Sequence, residues 1–216
     1  MPADDTTRVP RTNDPERTRA NIVAVATEEF AKHGLSGARV DRIAEQTHTS
    51  KRMLYYYFKS KEGLYRAVLY SYYEKLRSAE ANLELGAKTP MIALRELVEF
   101  TFDYHVENAE TVRLVLVENI HRGENIEQMP LVDTLNSAII ASVKDICDRG
   151  AASGEMRDDL DPFELYTSIA ALCFFNVSNR YTIRAIFGHD LGAPDEIAMR
   201  REAIVQMVQR YARADG

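Results

Sequence analysis

Apolar residues along this chain recur at helical rather than strand spacing. Between Asp14-Pro15 and Gly34, the residues Ile22, Ala26 and Phe30 stand at i, i+4 and i+8, one face of an amphipathic helix. That segment opens with a capping Asp before a proline whose missing N–H costs nothing at the first helical position. It closes at a glycine able to take left-handed backbone. The opening signal returns at Thr89-Pro90 and at Asp161-Pro162-Phe163-Glu164, where Glu164 is placed to complete a capping box. It returns again at Ala193-Pro194, with Asp195 and Glu196 suiting the positive end of a helix dipole. No run alternates with period two between Asn-Gly or Asp-Gly turns, so strands are not expected. The start and stop signals predict an all-α protein of about nine helices near 15–33, 40–46, 50–57, 61–85, 90–107, 110–121, 127–152, 162–187 and 194–213. Residues 1–13 are polar, carry two prolines and are expected to form a disordered N-terminal arm.

Composition adds little to this picture, but charge adds more. A chain of 216 residues, 45% hydrophobic and 28% charged, can bury a core as an ordinary globular protein. The net charge of −6 argues, as an average, against a nucleic-acid partner. The charges are segregated, however. Residues 1–70 hold 12 Lys and Arg against 9 Asp and Glu, and the remainder holds 15 against 24. The window Gln46 to Lys61 contains Lys51, Arg52, Lys59 and Lys61, no acid, and the run Tyr55-Tyr56-Tyr57. Cations that replace counterions, beside hydroxyls that add directional hydrogen bonds, are what a phosphate backbone requires.

A bare charge run is more often a solvated face, and the preceding residues decide between the two readings. Val40, Ile43 and Ala44 pattern a short helix, Thr47-His48-Thr49 makes a tight connection, and Ser50 can cap a second short helix. Two short helices joined this way form a helix-turn-helix, whose second helix enters the major groove. On a helical wheel, Arg52, Tyr55 and Tyr56 share one arc with Lys51 at its border. Leu54 and Ser50 lie opposite, flanked by Phe58 and Met53.

The residues Phe30-Ala31-Lys32-His33-Gly34, Val40-Asp41-Arg42-Ile43-Ala44 and the run L-Y-Y-Y-F-K-S-K-E-G-L from Leu54 to Leu64 together resemble the DNA-binding domain of the TetR family of bacterial transcriptional regulators. The match covers about residues 15–65; beyond it the likeness is one of helical layout and length. After the disordered arm expected at 1–13, the resemblance implies a helix-turn-helix domain (14–62) and a ligand-binding and dimerisation domain (63–216). It further implies a homodimeric repressor that a small-molecule effector releases from a palindromic double-stranded DNA operator. Lys51, Arg52 and Tyr55 match positions that meet base edges or nearby phosphates, and Tyr56, Tyr57 and Lys61 match positions that grip the backbone. Thr49 and Ser50 at the entrance to the second helix, and Arg39, complete the candidate DNA-contact set. The chain departs from the family where Ala38 and Arg39 replace threonines, where His48 replaces a glycine in left-handed backbone, and where Thr49 replaces an apolar residue. Arg39 can substitute a charged phosphate contact for the missing hydroxyl.

For the effector, apolar walls with a few converging polar groups are expected. Phe100, Tyr104, His105, Arg113, His121, Phe174 and Asn176 are the candidates, and a buried Arg113 facing a cavity would select an anion. Glu118 and His121 share a helix face at a spacing that metal sites use, but a hydrogen-bonded Glu–His pair is the commoner outcome, and neither a metal nor a cofactor is expected. The last two helices are apolar over more than one face, through Ile169, Leu172 and Phe175 and then Ile197, Ile204, Val205, Val208 and Tyr211. That pattern predicts burial against a second subunit.

Other function classes find little support. There is no Gly-rich phosphate loop, no G-x-S-x-G and no H-E-x-x-H, so an enzyme is not expected. Cys147 and Cys173 are isolated and read as small buried apolar residues. No secretory signal stands out, and the longest apolar run, Ile169 to Phe175, is seven residues, so no membrane association and a cytoplasmic location are expected.

Overall fold

Ten α-helices and one short 3-10 turn account for most of the chain in the computed structural model, which describes residues 14–129 and 132–214. The N-terminal arm expected at 1–13 lies outside the described residues. The helices are α1 Pro15–Gly37, α2 Val40–Gln46, α3 Lys51–Phe58, α4 Lys61–Ala81, α5 Pro90–Glu107, α6 Ala109–Ile120, α7 Val132–Ser153, α8 Pro162–Ser178, α9 Arg180–Phe187 and α10 Pro194–Ala212. No strand occurs among the described residues; one isolated bridge pairs Met156 with Arg213.

The capping signals act as their chemistry dictates. The Asp14 carboxylate accepts from the N–H groups of Glu16 and Arg17, and that of Asp161 accepts from Glu164, in each case ahead of a proline. At Gly34 the backbone leaves helical geometry with φ 65°, where the pattern ends α1, although a further turn carries the helix to Gly37.

Two apolar cores hold the helices together. The first joins Ile22, Ala26 and Phe30 of α1 to Ile43 of α2, Leu54 and Phe58 of α3, and Leu64, Tyr65 and Leu69 of α4. Phe30 meets Tyr65 edge to face at 5.1 Å between ring centres, a geometry that adds to the roughly 1.5–3 kcal/mol gained by burying each large side chain. This core also takes Leu114 from α6 and Met129, so α4 carries the packing across residue 62 without a break. The second core gathers Leu94, Leu97 and Phe102 of α5, Val143 and Ile146 of α7, Leu165, Ile169 and Cys173 of α8, and Ile204, Val205 and Val208 of α10.

The structure corrects three boundaries. The single helix expected over 162–187 is two, separated at Asn179 (φ −106°, ψ 3°), where neither Gly nor Pro marks the break in the sequence. Helix α4 ends at Ala81, and Leu85–Ala87 forms a 3-10 turn entered through Glu84 at φ 49°. Helix α7 begins at Val132 rather than 127, because residues 121–128 form turns fastened to the buried Glu118 carboxylate. That carboxylate accepts from the Asn125 N–H at 2.7 Å, the Ile126 N–H at 3.1 Å and the Asn125 side-chain amide at 3.2 Å. These bonds also replace the Glu118–His121 pair; His121 is exposed at the end of α6.

The expectation that the last two helices turn their apolar side chains to a partner is corrected in part. Ile169, Ile204, Val205 and Val208 are consumed by the protomer's own core. The apolar groups left exposed on these helices are instead Phe163 and Phe175 of α8, Tyr181, Ile186 and Phe187 of α9, and Met199, Met207 and Tyr211 of α10.

Candidate nucleic-acid interface

The helix-turn-helix is set on α1 by a residue that sequence reasoning passed over. Glu29 is buried; its carboxylate accepts the Arg39 N–H at 2.9 Å and lies 3.8 Å from both Arg42 and His33. Arg39 has no side-chain cap of its own at the start of α2, so Glu29 satisfies an end N–H that would otherwise lack a partner. The Arg39 side chain itself stays exposed.

Between α2 and α3 the chain turns sharply. His48 sits at φ 52°, in the left-handed region where the family pattern prefers glycine. Thr47 is buried and its hydroxyl donates to the Ile43 carbonyl at 2.7 Å, leaving its lone pairs to take the Thr49 hydroxyl, also at 2.7 Å. The Thr49 N–H donates to the Ala44 carbonyl at 3.0 Å. Both donors of Thr49 are therefore spent inside the turn, and this residue shapes the connection in the free protein. Ser50 caps α3 by accepting the Met53 N–H at 3.2 Å, and its own hydroxyl proton faces no acceptor among the described residues.

Helix α3 buries Leu54 and Phe58 and presents Lys51, Arg52, Tyr55 and Tyr56 outward, with Tyr56 67% exposed. Tyr57 is half-buried and packs edge to face on Tyr56 at 5.5 Å, so it supports its neighbour's ring as well as reaching solvent. Two cations beyond α3 are tethered by backbone carbonyls. The Lys59 ammonium donates to Tyr56 O at 3.2 Å and lies over that tyrosine's ring, and the Lys61 ammonium donates to Ser36 O at 3.0 Å. The Ser60 hydroxyl accepts the Gly63 N–H at 3.0 Å and so caps α4. The outcome is a cationic, tyrosine-rich surface on a rigid base.

The seven effector candidates are not gathered into one cavity. Tyr104, half-buried between Phe100 (5.5 Å) and Tyr72 (5.9 Å), lines with Tyr72 a cleft of about 190 Å³ between α1, α4, α5 and α6. His105 is buried; its Nδ1 lies 2.5 Å from Thr101 O and its ring meets Phe174 edge to face, while burial holds the imidazole pKa below its ordinary value. Asn176 is buried and donates to Leu191 O at 3.5 Å. Arg113 is exposed and stacks over Tyr181, which removes the premise of a buried guanidinium selecting an anion. What the sequence concealed is a buried polar group on α4 and α8. Arg77 pairs with Glu80 and donates to the Tyr166 hydroxyl at 2.8 Å, and burial pushes the Glu80 carboxyl upward against the pull of Arg77. A Lys-Leu-Arg-Ser-Ala-Glu stretch reads as an ordinary solvated face, so periodicity gives no warning of it.

Among the described residues no cluster of His, Cys, Asp and Glu is arranged to hold a metal ion, and no helix is long and apolar enough to cross a membrane.

Comparison with known proteins agrees with this geometry at both ends of the chain. Residues 22–68 match the model of the bacterial regulatory proteins of the tetR family, and residues 90–208 match that of the tetracyclin repressor-like C-terminal domain. The HTH-type transcriptional repressor NicS of Pseudomonas putida is 38% identical over 181 residues, 84% of this chain and 85% of that protein. The HTH-type transcriptional repressor SCO4008 of Streptomyces coelicolor is 33% identical over 51% of this chain and 54% of its own. Among solved structures, the transcriptional regulator SCO4942 of Streptomyces coelicolor superposes with a TM-score of 0.66 at 30% identity, over 90% of this chain and 98% of that one. The fold alone is shared with a tetR-family regulatory protein from Rhodococcus RHA1, at a TM-score of 0.71 and 18% identity. The helix-turn-helix on its Glu29 anchor, the helical domain that follows and these matches over most of the chain together make this protein a member of the TetR family of bacterial transcriptional regulators.

Proposed function

We propose that the protein represses transcription by binding a palindromic operator as a homodimer and leaves it when a small molecule binds the C-terminal domain. The observation that carries the reading is the outward arc of α3, where Arg52, Tyr55 and Tyr56 stand exposed beside Lys51 on a helix whose opposite face is buried. Arg52 and Tyr55 read base edges in the major groove, and Tyr56, Lys61 and Arg39 hold the flanking phosphates. Two copies of α3 must then lie about 34 Å apart, one turn of DNA.

The exposed faces of α8 and α10, with Phe163, Phe175, Met199 and Met207, form the subunit contact. The cleft lined by Tyr72 and Tyr104 suits the effector because α1 and α4, two of its walls, also bear the helix-turn-helix. A molecule that spreads those walls changes the spacing of the two α3 helices, so effector and operator weaken each other's binding by the same factor.

Selection of bound fragments from genomic DNA, followed by a gel shift at fixed salt, tests the reading. Recovery of a two-fold symmetric site is expected, and binding no tighter than to random duplex would overturn it. Light scattering should give the mass of a dimer, and Phe175→Glu should shift it towards a monomer.

A further inference from the structure

A carboxylate stands within the cationic surface just described. Asp41, in the first turn of α2, is 53% exposed, and its Oδ1 lies 2.8 Å from the ammonium of Lys51, itself 50% exposed. The hydrogen bond to Lys51 holds the Asp41 carboxyl below its usual range, and the same bond holds the lysine above its own. Each group thus favours the charged form of the other in the free protein.

The position of Lys51 gives the pair its meaning. Lys51 is the first residue of α3, and that first turn contains no acid. A cation at a helix N-terminus opposes the dipole, whereas an anion there is favoured. A lysine at a helix start, where backbone N–H groups point outward, is chemically suited to an anion. In the free protein the Asp41 carboxylate engages that ammonium directly. Exposed ion pairs contribute little to folding, so the placement is not explained by stability.

We propose that Asp41 is a specificity-determining residue: it competes with DNA phosphates for Lys51, so that the lysine contributes little to sequence-independent binding and is kept for a base edge in the operator groove. The effect resides in this one pair and does not depend on Arg39 or Lys59 elsewhere on the surface. The proposal rests on the operator-binding reading above and adds to it a brake on non-specific binding. On random duplex, Asp41 repels the backbone and masks one cation. At the operator, the lysine leaves Asp41 for guanine O6 and N7, acceptors that a lysine reads well.

The test compares wild-type protein, Asp41→Asn, Lys51→Met and the double variant on two probes. One probe is a duplex of random sequence and the other is a fragment recovered by genomic selection, each titrated by fluorescence anisotropy over a range of salt. Asp41→Asn should bind random duplex about three- to tenfold more tightly, as expected from removing one like charge several Å from phosphates. The plot of log K against log salt should steepen by about 0.9, the value for one additional neutralised phosphate. Operator affinity should change less, so the ratio of specific to non-specific binding falls. In the Lys51→Met background the same substitution should give a smaller gain and no change of slope. Unchanged or weaker random-duplex binding by Asp41→Asn, or an equal gain in slope without Lys51, would overturn the proposal. Circular dichroism checks that all three variants are folded, and Asp41→Ser repeats the measurement if the amide perturbs α2. Wild-type protein that bound neither probe would refute operator binding itself, a different result from a variant that behaves as wild type on DNA.

Discussion

Replacing Gly63 by alanine should displace the recognition helix. Gly63 lies in the first turn of α4, immediately after the sharp connection from α3. A Cβ built there would stand 2.0 Å from the Phe58 carbonyl oxygen and 3.2 Å from its carbon. Both are backbone atoms at the end of α3, so no side chain can swing aside. Reaching even 3.0 Å, below which real Cβ contacts essentially never fall, requires a movement of at least 1.0 Å between α3 and α4. Overpacking of this kind costs about 1–3 kcal/mol. Because Leu54 and Phe58 fix α3 to the core, the shift must pass into the angle at which Arg52 and Tyr55 are presented. Loss of even one good base contact, about 1.4 kcal/mol, lowers operator affinity tenfold. Urea unfolding followed by far-UV circular dichroism should show a lower midpoint for Gly63→Ala, and anisotropy on the selected fragment should show at least the tenfold loss. Gly37→Ala is the control: its Cβ would meet only His33 Cβ at 3.5 Å, an ordinary contact, so a change within about 0.5 kcal/mol is expected. A Gly63→Ala protein with wild-type midpoint and affinity would show that α3 and α4 are not in the close contact described.

Three further outcomes follow from buried groups. Glu118→Ala should destabilise by about 3 kcal/mol in urea melts, about 1 kcal/mol for each of the three donors it strands on Asn125 and Ile126, and a loss under 1 kcal/mol would contradict that role. His105 has a folded pKa depressed by burial, so the unfolded chain binds its proton more readily and stability must fall as the pH drops below about 6.5. The stability difference between wild type and His105→Gln should therefore shrink from pH 7 to pH 5, and a flat difference would exclude a buried neutral imidazole. Burial pushes the Cys173 thiol up to about 12 and also raises that of Cys147, so neither should react with a thiol reagent faster than the protein unfolds.

The parts of the molecule that could be read in the sequence are those where one residue type has one local use. Asp14 with Pro15, Asp161 with Pro162, and Gly34 at φ 65° are short-range chemistry, and the structure places all of them as helix ends. The outward arc of α3 was also legible, because eight residues on a wheel divide cleanly into Leu54 and Phe58 against Arg52, Tyr55 and Tyr56. Features that depend on distant partners were not. The break at Asn179 carries no glycine or proline. Glu29, Glu80 and Glu118 look like surface acids until the fold closes over them. Which apolar residues stay exposed is not legible either, because an apolar stripe does not say whether its own chain covers it; Ile204 and Val208 are covered and Met199 and Met207 are not. The effector candidates failed to converge for a related reason: periodicity places His105 and Arg113 on helices, but only the packing shows that one is buried and the other exposed.

The decisive measurement is operator binding by a variant altered only on the exposed arc, Arg52→Ala with Tyr55→Ala. Both side chains are exposed, so the variant should unfold at the wild-type urea concentration and keep the dimeric mass. On the selected genomic fragment at fixed salt it should lose at least a hundredfold in affinity, about 2.7 kcal/mol for two contacts, while binding to random duplex changes far less. A folded double variant that retained wild-type affinity for that fragment would contradict the assignment of α3 as the reading helix.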